Sequence, residues 1–212
     1  MRTALPMALC ILVLLQVATG EDLPVLKGEP QEDAKFFFDE FNPHEFLPGC
    51  SWYCGGDVHL VDASSELADS GSLTYKAGNA HDFNSQTAWV EGKPDDGIGE
   101  WIEYTFNFDR IPDYKGNLSI TRLLIANGYK KSPRLWKANN RIRTLKMSVD
   151  GKPVAMIQLE DCFEIQTVEI PKIMFPPRST RKVRFEIREV YRGEKYRDTA
   201  LGLLMFDGVG VH

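Results

Sequence analysis

Cysteine is scarce in this chain: four among 212 residues, Cys10, Cys50, Cys54 and Cys162. That excludes a small disulfide-stapled scaffold. Histidine is as rare, also four, and none stands at ligand spacing from the C-x-x-x-C pair Cys50 and Cys54, which argues against the familiar zinc modules. No apolar run is long enough to span a bilayer. G-x-S-x-G, H-E-x-x-H and a phosphate-binding loop are all missing. His81-Asp82 is no substitute, because neighbours on an extended chain face opposite sides. There is no long amphipathic helical period, no internal repeat and no low-complexity tract.

What is present begins with a leader. Arg2 precedes the apolar run Ala8–Val17, and Ala18-Thr19-Gly20 supplies small residues at a cleavage position. Residues 1–20 therefore read as a signal peptide. The chain is expected to be exported (periplasmic, cell-surface or secreted), with no transmembrane segment after cleavage. Cys10 leaves with the leader, and three cysteines remain in a disulfide-permissive compartment. A Cys50–Cys54 bridge around Ser51-Trp52-Tyr53 is one pairing. A bridge from either of them to Cys162 is the other.

Residues 21–49 form an acidic, proline- and phenylalanine-rich extension, with Phe36-Phe37-Phe38, Phe41 and Phe46 and no alternation. It either packs on the outside of the domain or binds a protein partner. Charge is segregated: residues 1–106 carry 5 Lys+Arg against 18 Asp+Glu, and residues 107–212 carry 20 against 12. The basic half is suited to an anionic glycan or surface, or to the protein's own acidic extension. No nucleic-acid motif accompanies it, so nucleic acid is not an expected partner.

Residues 50–212 read as one β domain. Trp101–Phe106 and Lys182–Arg188 alternate apolar with polar residues. Ile120–Ala126, Ile142–Val149, Val154–Leu159, Ile165–Ile170 and Ala200–Phe206 are further strand-length runs. Asp150-Gly151 signals a hairpin and Pro176-Pro177 a loop. About eight strands at irregular spacing predict an all-β fold, an antiparallel β-sandwich or jelly roll.

Between the strands, loops gather aromatic, amide and charged residues. Loops on a rigid scaffold are where binding residues concentrate. Sugar recognition needs an aromatic face for the apolar side of the ring and planar polar groups for hydroxyl pairs. The segment 127–141 supplies both: Tyr129 and Trp136 as faces, and Asn127, Lys130, Asn139 and Arg141 as polar partners. Lys195, Tyr196 and Asp198 are expected to join or brace the same rim. Glu91, beside Gly92, is suited to a hydroxyl pair. Glu100, after Gly97-Ile98-Gly99, accepts hydrogen bonds from a ligand or pairs with Arg141. Trp89 belongs to the core. A non-catalytic glycan-binding module is the reading these loops favour. The alternatives are a protein-interaction or adhesion module, and a glycoside hydrolase using two of Glu91, Glu100 and Asp198.

The string N-A-x-D-x-x-x-x-T-A-W (Asn79, Ala80, Asp82, Thr87, Ala88, Trp89) resembles the discoidin or coagulation-factor type C sandwich of the galactose-binding-like fold. T-A-W-V-E-G, G-I-G-E-W-I, N-G-Y-K-K-S, N-N-R and Y-x-G-x-K-Y-x-D-T, in that order, resemble a bacterial branch of it. That branch is the discoidin-like domain of NAD glycohydrolase toxins, their translocation and glycan-binding part. The resemblance covers Val58 to Phe206 and implies a carbohydrate-binding sandwich. It does not imply NAD hydrolysis, which belongs to a separate segment of those toxins. It also implies a Ca²⁺ site at Asp82 and Thr87, although Ala200–Phe206 lacks the glutamate that completes such a site in calcium-binding relatives. The alternative for Asp82 is an Asx turn.

Overall fold

The computed structural model describes residues 23–31, 52–56, 58–110 and 113–210. The leader, the phenylalanines between 36 and 46, and Cys50 lie outside the described residues. Eleven strands run through the rest: β1 (Val25–Lys27), β2 (Glu29–Gln31), β3 (Leu60–Ala63), β4 (Trp89–Val90), β5 (Trp101–Asn107), β6 (Ser119–Asn127), β7 (Asn140–Val149), β8 (Lys152–Gln158), β9 (Ile165–Met174), β10 (Thr180–Tyr191) and β11 (Thr199–Val209). Among the described residues one short α-helix, α1 (Pro133–Ala138), and three 3-10 turns interrupt them.

The strands form a β-sandwich. Hydrogen bonding runs in the order β2-β9-β6-β11-β7-β10-β5-β3, with β8 and β1 attached to β7, and β4 to β11. All pairs are antiparallel except β1–β8 and β7–β11. The β7–β11 contact is only Thr199 against Asn140 and Ala200 against Arg141. It is the seam at which one sheet passes into the other. The β7–β8 hairpin turns on Asp150 (φ 50°) and Gly151 (φ 78°), the double left-handed geometry that an Asp-Gly turn supplies.

Alternation explains the layers. In β5, Ile102, Tyr104 and Phe106 are fully buried and share one cluster with Phe185 of β10 and with Leu123, Ile125 and Phe206 of the opposite sheet. Each such side chain contributes about 1.5–3 kcal/mol by leaving water. Trp52 plugs this core edge-on to Phe106, at 5.6 Å between ring centres. On the outer face Glu103 accepts from Lys182 Nζ and Arg184 Nε, each at 2.9 Å.

The beginning of the extension departs from expectation. Residues 25–31 are not irregular: β1 lies parallel on β8, and β2 lies antiparallel on β9. This strap crosses the open side of the sandwich at Gly28, where a Cβ would stand 2.5 Å from Gln166 Oε1. Three-residue strands are too short to show an alternating pattern.

Candidate functional site

The rim is built where β6 ends. Gly128 takes φ +82°, and a Cβ there would lie 2.6 Å from Arg141 Cγ and 2.7 Å from Trp136 Cδ1, so only glycine lets the chain turn beneath those side chains. Ser132 then caps α1, its Oγ accepting from Leu135 N–H at 3.2 Å, with Pro133 in the first turn, where its missing N–H costs nothing. Asn139 closes the helix by donating Nδ2 to Leu135 O at 2.8 Å. Asn127 Nδ2 donates to Ile142 O at 2.6 Å and its Oδ1 accepts from Ile142 N–H at 2.9 Å. That amide acts as one more ladder rung between β6 and β7.

A stack braces the outside of this turn. Trp136 Nε1 donates to Asn127 O at 2.9 Å, and the Arg141 guanidinium lies 4.7 Å over the Trp136 ring. Arg141 reaches both oxygens of Asp161, at 2.9 and 2.8 Å, a bidentate pair. Phe163 meets Trp136 edge-on at 5.7 Å and carries the Lys130 ammonium 4.1 Å above its ring. Burial holds the Lys130 pKa down to about 8. Arg141 therefore pairs with Asp161, not with Glu100.

The connection 192–198 lies across the end of α1. Lys195 N–H and Tyr196 N–H both donate to Ala138 O, at 3.1 and 2.8 Å. Gly193 N–H donates to Asn140 Oδ1 at 2.8 Å, and a Cβ on Gly193 would stand 2.5 Å from Ala138 O. Beneath this connection sits Asp96, accepting from Arg197 Nε at 2.9 Å and Arg192 NH2 at 3.1 Å. Hydrogen bonding from Arg197 above all, with Asn140 and the Arg192 charge adding, holds its carboxyl down to about 2.

Two adjoining clefts result. The first, of about 370 Å³, is lined by Val90, Tyr129 and Leu135, by the segment Leu67–Tyr75, and by Lys131, Asn139, Tyr196 and Asp198. Its far wall is a tight turn in which Ser70 and Leu73 exchange backbone hydrogen bonds at 3.0 Å around Gly71 (φ +61°). Tyr196 stands at its lip, 41% exposed. The second, of about 270 Å³, is lined by Asp96, Asn140 and Arg192–Arg197, so that Tyr196 separates the two.

The expected ligand residues therefore divide. Tyr129, Asn139, Tyr196 and Asp198 face the first cleft, and Lys195 and Tyr196 the second. Asn127, Lys130, Trp136 and Arg141 hold the rim in shape. Glu91 is fully buried, its oxygens accepting from Thr199 N–H at 3.0 Å and Lys93 N–H at 2.7 Å. Burial raises its pKa against those two bonds. Glu100 accepts from Ser65 Oγ and from Ser64 Oγ at 2.7 Å. Sequence reasoning missed Leu67, Leu73 and Tyr75, which follow no motif, and Asp96, whose arginines are about a hundred residues away. Trp89 is core, as expected, with Nε1 donating to Ser65 O at 3.0 Å.

Asp82 forms an Asx turn: Oδ1 accepts from Asn84 N–H at 2.9 Å and Oδ2 from Thr87 Oγ1 at 2.8 Å. Among the described residues no group of three or more His, Cys, Asp or Glu could hold a metal. Ca²⁺ takes six to eight oxygens, and one carboxylate already engaged at both oxygens does not fit that demand. Cys162 is a free thiol, so the staple to Cys162 is not made; the Cys50–Cys54 alternative needs Cys50, which lies outside the described residues. No helix among the described residues is long and apolar enough to cross a membrane.

The family model for the NAD glycohydrolase translocation F5/8 type C domain matches residues 52–207. No curated protein matches the chain. Among solved structures, the CBM32-1 and CBM32-2 domains of Clostridium perfringens ZmpB in complex with GalNAc are 13% identical, over 90% of this chain and 41% of that one, with a TM-score of 0.56. A second structure of those two domains is 14% identical, over 90% and 42%, with a TM-score of 0.54. A third, which adds the M60 catalytic domain, is 13% identical, over 90% and 17%, with a TM-score of 0.55. The chain thus spans less than half the length of each, and the likeness establishes the fold.

Proposed function

The chain belongs to the NAD glycohydrolase translocation F5/8 type C domain family, and from that premise we propose that it is an exported, non-catalytic module that binds a glycan in the first cleft. The observation that carries this is one wall-to-wall arrangement: Tyr75, Tyr129 and Tyr196 beside Asn139 and Asp198 in about 370 Å³. Tyrosine faces suit the C–H side of a pyranose, while an amide and a carboxylate bridge neighbouring hydroxyls. Concave, largely apolar sites with a few convergent polar groups are the usual form of small-ligand sites. The CBM32 structures support the reading, one of them holding GalNAc.

The same geometry argues against hydrolysis. Glu91 is locked by two backbone N–H groups, and Glu100 by two serine hydroxyls. Of the three carboxylates, only Asp198 faces the first cleft, and glycoside cleavage requires two. Export rests on the leader read at residues 1–20.

The test is a glycan array probed with the full chain from an exporting host, presented multivalently, with and without Ca²⁺. Binding to a defined sugar class should fall at least about ten-fold in Tyr196→Ala, a loss of about 1.4 kcal/mol, with unfolding unchanged because that ring is exposed. A folded sample that binds no glycan would overturn the proposal and turn attention to the phenylalanine-rich extension as a protein-binding segment.

A further inference from the structure

We propose that the second cleft is an anion subsite, and that the glycan of the rim carries an acidic sugar whose carboxylate or sulfate is taken by Arg192 and Arg197. This rests on the glycan-binding reading and specifies its ligand class. The two clefts share Tyr196, and the neighbours Asn139/Asn140 and Asp198/Arg197 are divided between them. Consecutive sugar units can therefore occupy both.

The arginines are held ready. Arg197 uses Nε on one oxygen of Asp96 and Arg192 uses NH2 on the other. Among the described residues their remaining guanidinium nitrogens donate to no other group. Their side chains are 62% and 77% exposed, whereas that of Asp96 is 13% exposed. Asp96 is itself anchored, its backbone carbonyl accepting from Thr199 Oγ1 at 2.8 Å and its Oδ1 from Asn140 Nδ2 at 3.3 Å. One fixed carboxylate thus positions two forks, each with donors left for an oxyanion. Lys195 adds a third cation, 4.7 Å over the Tyr196 ring. Glu194 is the other carboxylate lining this cleft, so the lining holds three cations against two anions, with the Asp95 charge acting on Arg197 from outside the lining. Asp96 stays ionised throughout the neutral range, which keeps the arrangement constant.

The experiment measures affinity of the full chain for matched oligosaccharides: sialylated, uronic-acid-containing and sulfated, each beside its desialylated, carboxyl-reduced or desulfated counterpart. Phosphatidylcholine vesicles with and without phosphatidylserine run in parallel. The acidic member of at least one pair should bind about ten-fold tighter or more, equivalent to about 1.4 kcal/mol. That preference should vanish in the Arg192→Gln/Arg197→Gln double variant, grow in Glu194→Gln, and shrink with added salt as exposed charges are screened. A cooperative thermal transition, lowered in the double variant by the loss of both Asp96 partners, confirms that each variant folds. Equal binding of acidic and neutral members overturns the inference and leaves the glycan reading standing. No oligosaccharide bound by folded protein overturns both. Arginine-dependent binding to the anionic vesicles alone overturns it in favour of a lipid headgroup.

Discussion

Replacing Lys130 by methionine tests the rim's energetics directly. The side chain is 3% exposed and its pKa is held from 10.5 down to about 8 by burial. A lysine whose pKa is lower folded than unfolded binds fewer protons in the fold, so stability rises with pH between those values. Below about pH 8 the full cost of keeping the ammonium in the fold applies; it is relieved as pH rises and gone above about 10.5. At about 1.36 kcal/mol per unit, the shift costs roughly 3 kcal/mol at pH 7 and about 1.4 kcal/mol at pH 9.5. The Phe163 face beneath the ammonium returns roughly 1 kcal/mol to the charged form. The wild type should therefore gain about 1–2 kcal/mol relative to Lys130→Met between pH 7 and 9.5. Methionine keeps an unbranched apolar stem over Phe163, so the difference isolates the charge. Urea unfolding of both proteins across this range reads it. Parallel stability curves would refute the reasoning, as would a gap that widens in the opposite direction.

Other perturbations separate bracing from binding. Arg141→Ala removes a bidentate partner from Asp161 and the lid from Trp136. It should cost about 1.5–3 kcal/mol in chemical denaturation, because the Asp161 left behind is partly exposed, and a loss under about 1 kcal/mol would remove Arg141 from the frame. Gly128→Ala combines a left-handed φ with a 2.6 Å clash and should cost more than about 1–2 kcal/mol, with glycan binding lost alongside. Asp82→Ala should lower stability by about 1 kcal/mol, as losing a cap does. Chelation should leave the wild-type melting temperature unchanged, and a chelator-sensitive transition would restore the calcium site.

The sandwich was legible because its strands face a core on one side only. Ile102, Tyr104 and Phe106 inward against Glu103 and Thr105 outward is a local signal, and β10 repeats it. Residues 25–31 were not legible, since their partners are Met156–Gln158 and Ile165–Thr167, far along the chain. The rim was half legible. Aromatic and amide residues between 127 and 141 marked where loops converge, but not which would be spent on the frame. Asn127 illustrates the difficulty: its amide is indistinguishable in sequence from a ligand group, and only the Ile142 backbone opposite it decides the matter. Asp198 and Tyr196, which line the first cleft, were singled out because their segment is dense in polar and aromatic residues. The Leu67–Tyr75 wall has no such density.

The strap also matters for how this domain is handled. The family match starts at residue 52, so a fragment cut at that boundary would lose β1 and β2. Met156–Gln158 and Ile165–Thr167 would then present unpaired backbone on both sheets of one molecule. Raw strand edges invite pairing with other copies, and two edges per molecule permit chains of molecules rather than closed pairs. In the intact chain residues 25–31 occupy these positions, which makes the segment a built-in guard against self-association.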